Sequence, residues 1–385
     1  VINAIKEWVA RHEEQIRSTY DNLHRRAEAS WQEFETTRYL SSELERLGIR
    51  YETFDDLTGA VGYWGTAGEG PTIGLRADID ALYQLVDGEW RANHSCGHDA
   101  HMTMVLHAVE CLMAVGFEPT GLIKIIFQPA EESGMGAQAI LGRGIADDLD
   151  YLLGIHVRPI QEMAFGAASP AIYHGSSALI RGKLQGVQAH GARPHLGINV
   201  ADSVGAVIQA VNSIRTDPTV PASAKVTMIR AGGDHLNIIP DEAEFGVDLR
   251  AQTNEAMADL FERAEYAIRT AAAINRATVN LEQAVSMPAA ERSVELEKLV
   301  GEAIAEALGE EALVAPPVTP GGEDFHFYKK SLPRLEATMI GLGAGLTPGL
   351  HHPRMSFNLN ALLNGVAILA AAVHKISLHC DSKKG

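Results

Sequence analysis

Three apolar runs, each closing on acids or a histidine, constrain the fold of this chain more than any other feature. Thr72-Ile73-Gly74-Leu75-Arg76-Ala77 runs into Asp78 and Asp80, Leu122-Ile123-Lys124-Ile125-Ile126-Phe127 into Gln128-Pro129-Ala130-Glu131-Glu132, and Tyr151-Leu152-Leu153-Gly154-Ile155 into His156. Short apolar runs between turn residues read as buried strands. Helical periodicity separates them, most plainly from Met102 to Val115. Alternating strands and helices build a mostly parallel mixed sheet flanked by helices, and open α/β sheets bind ligands beyond the carboxyl ends of their strands.

After about Ala171 the pattern changes. Ser177 to Gly186, Lys225 to Ile229, Glu242 to Arg250 and Thr278 to Gln283 read as strands, with helices at Ile198 to Ile214 and Glu255 to Ile274. Two helices among four strands is an α+β, ferredoxin-like count. From about Pro288 the helix-strand alternation resumes and ends in a helix from Asn358 to about His379. The chain of 385 residues exceeds what one core serves, and its 46% hydrophobic content supplies two. The expected domains are 1–171 with 286–385, and an inserted domain over 172–285. Residues 1 to 47 carry helical periodicity, with Leu40, Leu44 and Leu47 on one face; by themselves His24, Glu28 and Glu33 read there as a solvated face.

The densest chemistry is Asn93-His94-Ser95-Cys96-Gly97-His98-Asp99-Ala100-His101. Cys96 and His98 can point at a common centre if the backbone turns, and Gly97 permits the turn. Asp99, directly after a ligand histidine, can fix ligand geometry from behind. The stretch alone has too few ligands. Glu132, His156 and the turn Leu350-His351-His352-Pro353 supply the rest, enough for a co-catalytic metal pair with one bridging group. Of the adjacent Glu131 and Glu132, one can bind metal while the other accepts a proton from water. His190 beside Gly191, and Asn237 after the Gly232-Gly233 turn, are either loop residues or polar groups of the inserted domain's own. Arg250 can meet a ligand or pair with Asp248 or Glu244, and Asp324 can cap a helix N-terminus or act in catalysis.

Lys plus Arg number 32 against 49 Asp plus Glu, a net charge of −17, which argues against nucleic acid or anionic membrane as partner. No basic-then-apolar signal opens the chain, and Asn364, Gly365 and His374 interrupt its longest apolar stretch, so neither export nor a membrane span is expected. Cys96, Cys111 and Cys380 form no disulfide framework, which suits a reducing cytoplasm.

Eight motifs taken in order resemble one family: Leu-Arg-Ala-Asp-Ile-Asp-Ala-Leu at 75 to 82, Ser-Cys-Gly-His-Asp-Ala-His at 95 to 101, Pro-Ala-Glu-Glu at 129 to 132, Gly-Ile-His at 154 to 156, Ala-His-Gly-Ala-Arg-Pro-His at 189 to 195, Asn-Ile-Ile-Pro at 237 to 240, Gly-Glu-Asp-Phe at 322 to 325 and Leu-His-His-Pro at 350 to 353. The set is similar to the aminoacylase/carboxypeptidase clan of metallopeptidases, in its amidohydrolase branch with hippurate and auxin-conjugate hydrolases. His24, Glu28 and Glu33 also match family positions. Ala27 stands where a proline is usual, Tyr83-Gln84 replaces a proline-containing continuation, and no acid lies near Ala361; these departures bear on the acyl-side pocket.

The resemblance implies a di-metal exopeptidase-like catalytic domain with an inserted lid that often carries a dimer contact. By position, Cys96, His98, Glu132, His156 and His351 would bind two divalent ions (Zn, Mn, Co or Ni), with Asp78, Asp80 and Asp99 behind them. Glu131 would be the general base, His190 and Asn237 would hold the oxyanion or substrate carboxylate, and Arg250 would pair with that carboxylate. The expected activity is a cytoplasmic amidohydrolase acting on N-acyl amino acids or small amides with a free carboxylate. A dipeptidase or aminopeptidase is the alternative within the class, and a metal-dependent binding or regulatory protein without catalysis the alternative outside it.

Overall fold

The computed structural model describes residues 1–68 and 70–382. The chain divides into two compact units, one formed by Val1–Tyr173, Glu291–Pro317 and Asp324–Gly385, the other by His174–Ala290 and Val318–Glu323.

The first unit is built on a seven-stranded mixed sheet in the order Arg50–Thr53, Ala60–Gly65, Leu122–Gln128, Thr72–Asp78, Tyr151–Pro159, Glu336–Leu346, Ala168–Ser169. The central four strands run parallel, and antiparallel partners close both edges. Successive side chains of a strand face opposite sides. Accordingly Ile123, Ile125 and Phe127 enter one core with Leu153, Ile155 and Val157, while Ile126, Leu152 and Met339 enter a second core on the other face. With both faces covered, the central strands read as continuous apolar runs. Because they are parallel and in register, with Asp78 opposite Gln128 and His156 opposite Gly341, their polar continuations emerge at one end of the sheet.

Two helices of this unit are apolar nearly all round because both are core elements. His98–Ala114 is buried along most of its length. Asn360–Ser382 contains a stretch, Asn360–Cys380, long and apolar enough to cross a membrane, but 72% of its most apolar window is buried in the fold. Leu362, Val366, Leu369 and Val373 pack into the same core as the sheet, so packing accounts for the apolar surface. The N-terminal region is three helices, Ile2–Arg11, Glu13–His24 and Phe34–Arg46.

The second unit has four antiparallel strands in the order Ala222–Ala231, Glu242–Ala251, Ser176–Gln185, Thr278–Met287, with the helices Val200–Asn212 and Asn254–Ile274. Its β-α-β-β-α-β chain order and strand arrangement are ferredoxin-like. Ala243, Phe245, Val247, Leu249 and Ala251 are buried, while Glu244, Asp248 and Arg250 alternate with them on the other face. Thr253 starts the second helix by accepting a hydrogen bond from the Ala256 N–H at 3.1 Å, a side-chain N-cap.

Arg76, mid-strand and 1% exposed, is the most costly residue buried in the sheet. Its guanidinium donates to Asp78 at 2.6 Å, to Asp324 at 2.7 Å and to the Gln128 side-chain carbonyl at 3.0 Å. Burial opposes the charge on Asp78, yet His98, His101 and Arg76 together hold it well below the usual carboxylate range. Asp324 shares Arg76 without the imidazoles, and burial pushes it up to about 6. Removing the cation strands two buried carboxylates, which costs about 3–5 kcal/mol. Arg76→Met is therefore expected to lower the unfolding free energy from urea titration by that amount, with partial recovery in Arg76→Met/Asp324→Asn; an unchanged value in the single variant refutes the account.

Candidate metal centre

The site begins at Gly97, which sits at φ 90° between the loop and the helix that starts at His98. A Cβ at Gly97 would lie 2.5 Å from the Val157 side chain, so the turn requires glycine both for its backbone angle and for its approach to the neighbouring strand. The turn aims Cys96 and His98 at one centre. Cys96 Sγ lies 3.6 Å from His156 Nε2, the side chain brought there by the Tyr151–Pro159 strand.

Main-chain carbonyls orient both imidazoles. His98 Nδ1 donates to the Asp80 carbonyl at 2.9 Å, and His156 Nδ1 donates to the Val157 carbonyl at 2.7 Å. The remaining lone pair of each ring is therefore on Nε2, the atom turned toward the centre. His101 is used differently. Its Nδ1 donates to Asp78 at 2.7 Å and its Nε2 accepts the Val157 N–H at 3.1 Å, so it braces the strand beside His156.

Glu131 and Glu132 follow Ala130, whose φ of 55° makes the turn off the Leu122–Gln128 strand. The Ala130 N–H donates to Glu33 at 2.9 Å, and the Glu132 N–H to Asp80 at 3.0 Å. His98 Nε2 is 3.8 Å from a Glu131 oxygen and 3.9 Å from a Glu132 oxygen. His351, at φ 64°, completes the cluster with Nε2 3.5 Å from Glu132. His352 turns away, its Nδ1 accepting the Arg354 N–H at 3.1 Å.

Two of the possible donor sets share the thiol, Cys96 with His98 and His156, and Cys96 with Glu132 and His351, and a further set joins His98, Glu131 and Glu132; the ligand atoms of each set lie mutually within 4.8 Å. His98 Nε2 and Glu132 Oε1 are buried with no hydrogen-bond partner among the described residues. Burial pushes Glu132 up to about 7, with Asp80 and Asp78 adding to it against the pull of His98 and Cys96. Burial, with Glu132 alongside, likewise raises the Cys96 thiol well above its usual range. A largely buried cluster of acids, imidazoles and a thiol, with His98 Nε2 and Glu132 Oε1 unpartnered, fits a pair of divalent ions, whose charge would reverse both shifts.

Asp80 accepts hydrogen bonds from Ser30 at 2.6 Å and from the Glu132 N–H, tying the N-terminal segment to the acidic turn. Asp99 accepts from His24 Nδ1 at 2.6 Å. The solvated face expected around His24 is corrected at Glu33, which is fully buried and receives Ala130 and Thr58, and at Glu28, which caps the Phe34–Arg46 helix through the Glu35 and Thr36 N–H groups. A helical periodicity cannot show that a carboxylate reaches a turn nearly a hundred residues away. Asp324 does not cap the His326–Ser331 helix that follows it: besides Arg76 it accepts from Gln128 at 2.9 Å and from the Ala137 N–H, in the first turn of the helix Gly136–Leu141, at 2.9 Å.

In the second unit, Ala189–His190 pairs with Ile238–Ile239 in a two-stranded ribbon that sets His190 beside exposed Asn237. The Ala192 N–H donates to His190 Nδ1 at 3.0 Å, leaving Nε2 as the ring's donor. Arg250 is partly engaged, its Nη2 donating to Asp248 at 2.9 Å.

The model of peptidase family M20/M25/M40 matches residues 74–375. The chain belongs to this family. It is 30% identical over 365 residues to IAA-amino acid hydrolase ILR1-like 2 of Arabidopsis thaliana, covering 91% of this chain and 82% of that protein. It is also similar to the N-acetyl-L-cysteine deacetylase of Bacillus subtilis, 26% identical over 94% of this chain and 88% of the relative. Its fold matches that of a Bacillus subtilis protein described as a dinuclear metal binding M20 peptidase, with a TM-score of 0.81, 24% identity and coverage of 97% and 99%. This M20 chain is a metal-dependent amidohydrolase with a buried donor cluster suited to two divalent ions.

Cys96 is common to two of the donor sets, so Cys96→Ala is expected to cost the purified protein both ions in elemental analysis. His351→Ala should lose one ion and His352→Ala none. A fully metallated Cys96→Ala removes the shared-thiol assignment, and the reverse result for the two histidines shifts the ligand by one position.

Proposed function

We propose that this enzyme hydrolyses the amide bond of N-acyl amino acids or related small amides with a free carboxylate. The observation that carries the reading is the placement of Glu131 beside Glu132 against His98 in a largely buried cluster, where one carboxylate can bind metal while its neighbour accepts a proton. The relatives support the substrate class, being named for IAA-amino acids and N-acetyl-L-cysteine. Thiol and imidazole donors favour zinc, cobalt or nickel, and the carboxylates admit manganese.

Bound ions would polarise the amide carbonyl and make water acidic enough to be deprotonated near neutral pH. Glu131 takes that proton as water attacks and returns it to the nitrogen of the departing amino acid. Cys96, His98, Glu132, His156 and His351 hold the ions, and Asp78, Asp80 and Asp99 fix the elements that carry them. In the inserted unit, His190 Nε2–H and the Asn237 amide are the donors assigned to the developing oxyanion or the substrate carboxylate, and Arg250 to the carboxylate. The lid role, a dimer contact through this unit and a cytoplasmic setting belong to the same proposal. The edge position of the Ala222–Ala231 strand supports the dimer contact, and the three free cysteines support the cytoplasmic setting.

Enzyme reconstituted with each metal and assayed on N-acyl amino acids, their carboxamides and dipeptides tests the reading. Cleavage is expected for the N-acyl amino acids and poor for the carboxamides; a preference for free-amine dipeptides overturns it. Glu131→Gln should keep its metal and lose about 10²- to 10⁴-fold in kcat. Metal depletion in that variant would make Glu131 a ligand instead. Changing His190 to Ala is expected to lower kcat by about 10²- to 10³-fold, whereas Arg250→Ala should chiefly raise KM, an effect blunted on the carboxamide. Parent turnover in His190→Ala would leave the inserted unit without a catalytic donor.

A further inference from the structure

The strands Leu82–Val86 and Glu89–Asn93 form a hairpin that turns at Asp87 and Gly88, both with positive φ. From this hairpin the Gln84 side chain reaches two separate loops at once. Its Nε2 donates to the His351 carbonyl at 2.8 Å, and its Oε1 accepts from Ser95 Oγ at 3.0 Å and from Asn93 Nδ2 at 3.1 Å. The His351 N–H in turn donates to the Ser95 carbonyl at 2.8 Å. His351, Ser95 and Gln84 thus close a ring of hydrogen bonds, and Ser95 directly precedes Cys96. Asn93 reinforces the ring by donating to the Pro353 carbonyl at 3.1 Å.

His351 needs such support. Its φ of 64° lies in the left-handed region that a histidine occupies at a cost, and such a conformation persists only where the surroundings over-determine it. Its side chain is also 53% exposed, so side-chain packing does little to hold it. Both peptide groups of His351 are instead held by hydrogen bonds, one of them from a side chain of the hairpin. We propose that Gln84 is a positioning residue for the metal site: it locks the His351 backbone against the Cys96 loop, so that the donors Cys96, Glu132 and His351 converge before an ion arrives. The proposal rests on the reading of His351 as a ligand.

Zinc titrations of the full-length, metal-stripped chain against a competing chromogenic chelator, paired with thermal unfolding of the same metal-free samples, test it. Gln84→Leu removes the clamp and is expected to weaken one of the two ions by about 10- to 100-fold, the usual cost of losing an outer partner of a ligand. The melting temperature of the metal-free chain should stay within that of the parent. Gln84→Asn, too short to span both loops, repeats the test with polarity kept. Arg354→Ala removes only the exposed bridge from Arg354 to Asp87 at the hairpin tip and should titrate like the parent. His351→Ala is the reference for complete loss of that ion. If His351→Ala loses an ion while both Gln84 variants bind two with parent affinity, the clamp is refuted. The clamp is equally refuted if the Gln84 variants weaken both ions and melt early, since Gln84 is then structural. If His351→Ala itself binds both ions like the parent, it is the ligand reading that fails, and the clamp with it.

Discussion

The fold of the first unit is governed by the burial of carboxylates at one end of its parallel sheet. Asp78, Asp80, Asp99, Glu131 and Asp324 are each at most 6% exposed. Charges so far from water persist only when paired or hydrogen-bonded. Arg76 meets two of them, His101 and His24 one each, and Ser30 and the Glu132 N–H serve Asp80. The orphaned His98 Nε2 and Glu132 Oε1, and a Glu132 raised to about 7, mark the place where the protein's own groups stop balancing. A pair of divalent cations would complete the balance there.

Much of this was legible in the sequence because strand ends carry information. An apolar run that closes on Asp78, on Glu131 and Glu132, or on His156 needs only a parallel sheet to bring those residues together, and alternation with helices dictates the sheet. The α/β class and the four-strand, two-helix insertion were readable from periodicity for the same reason. The supporting shell was not. Glu33 looked like one charge among many on a helical segment, yet it is fully buried against the Ala130 turn. Asp324 read equally as a cap or a catalytic acid and is held by Arg76, Gln128 and Ala137. These partners lie far apart in the chain and share no period, so only the folded sheet selects them. Gln84 stood out as a departure from the family's proline-containing pattern, but nothing local tells that its amide spans two loops.

The two units obey different rules of sequence. Strands of the parallel sheet are covered on both faces and read as unbroken apolar runs, whereas Glu242–Ala251 alternates strictly. The proposed metal donors lie in turns, at the start of the His98–Ala114 helix and, for His156, within the covered Tyr151–Pro159 strand. Arg250 instead lies on the polar face of a strand, and His190 and Asn237 on a short exposed ribbon. That division separates the residues proposed to hold ions from those assigned to the organic substrate.

The hydrogen bonds behind the two central imidazoles differ in kind from the one behind His351. His98 and His156 are steered by the peptide carbonyls of Asp80 and Val157, whereas the His351 backbone depends on the amide of Gln84. A peptide carbonyl survives every substitution of the residue that carries it. The tautomers of His98 and His156 are thus inherited with the sheet and are insulated from single mutations. A side-chain clamp has no such protection, so natural variation within the family can retune the His351 half of the centre while the His98 and His156 half stays fixed.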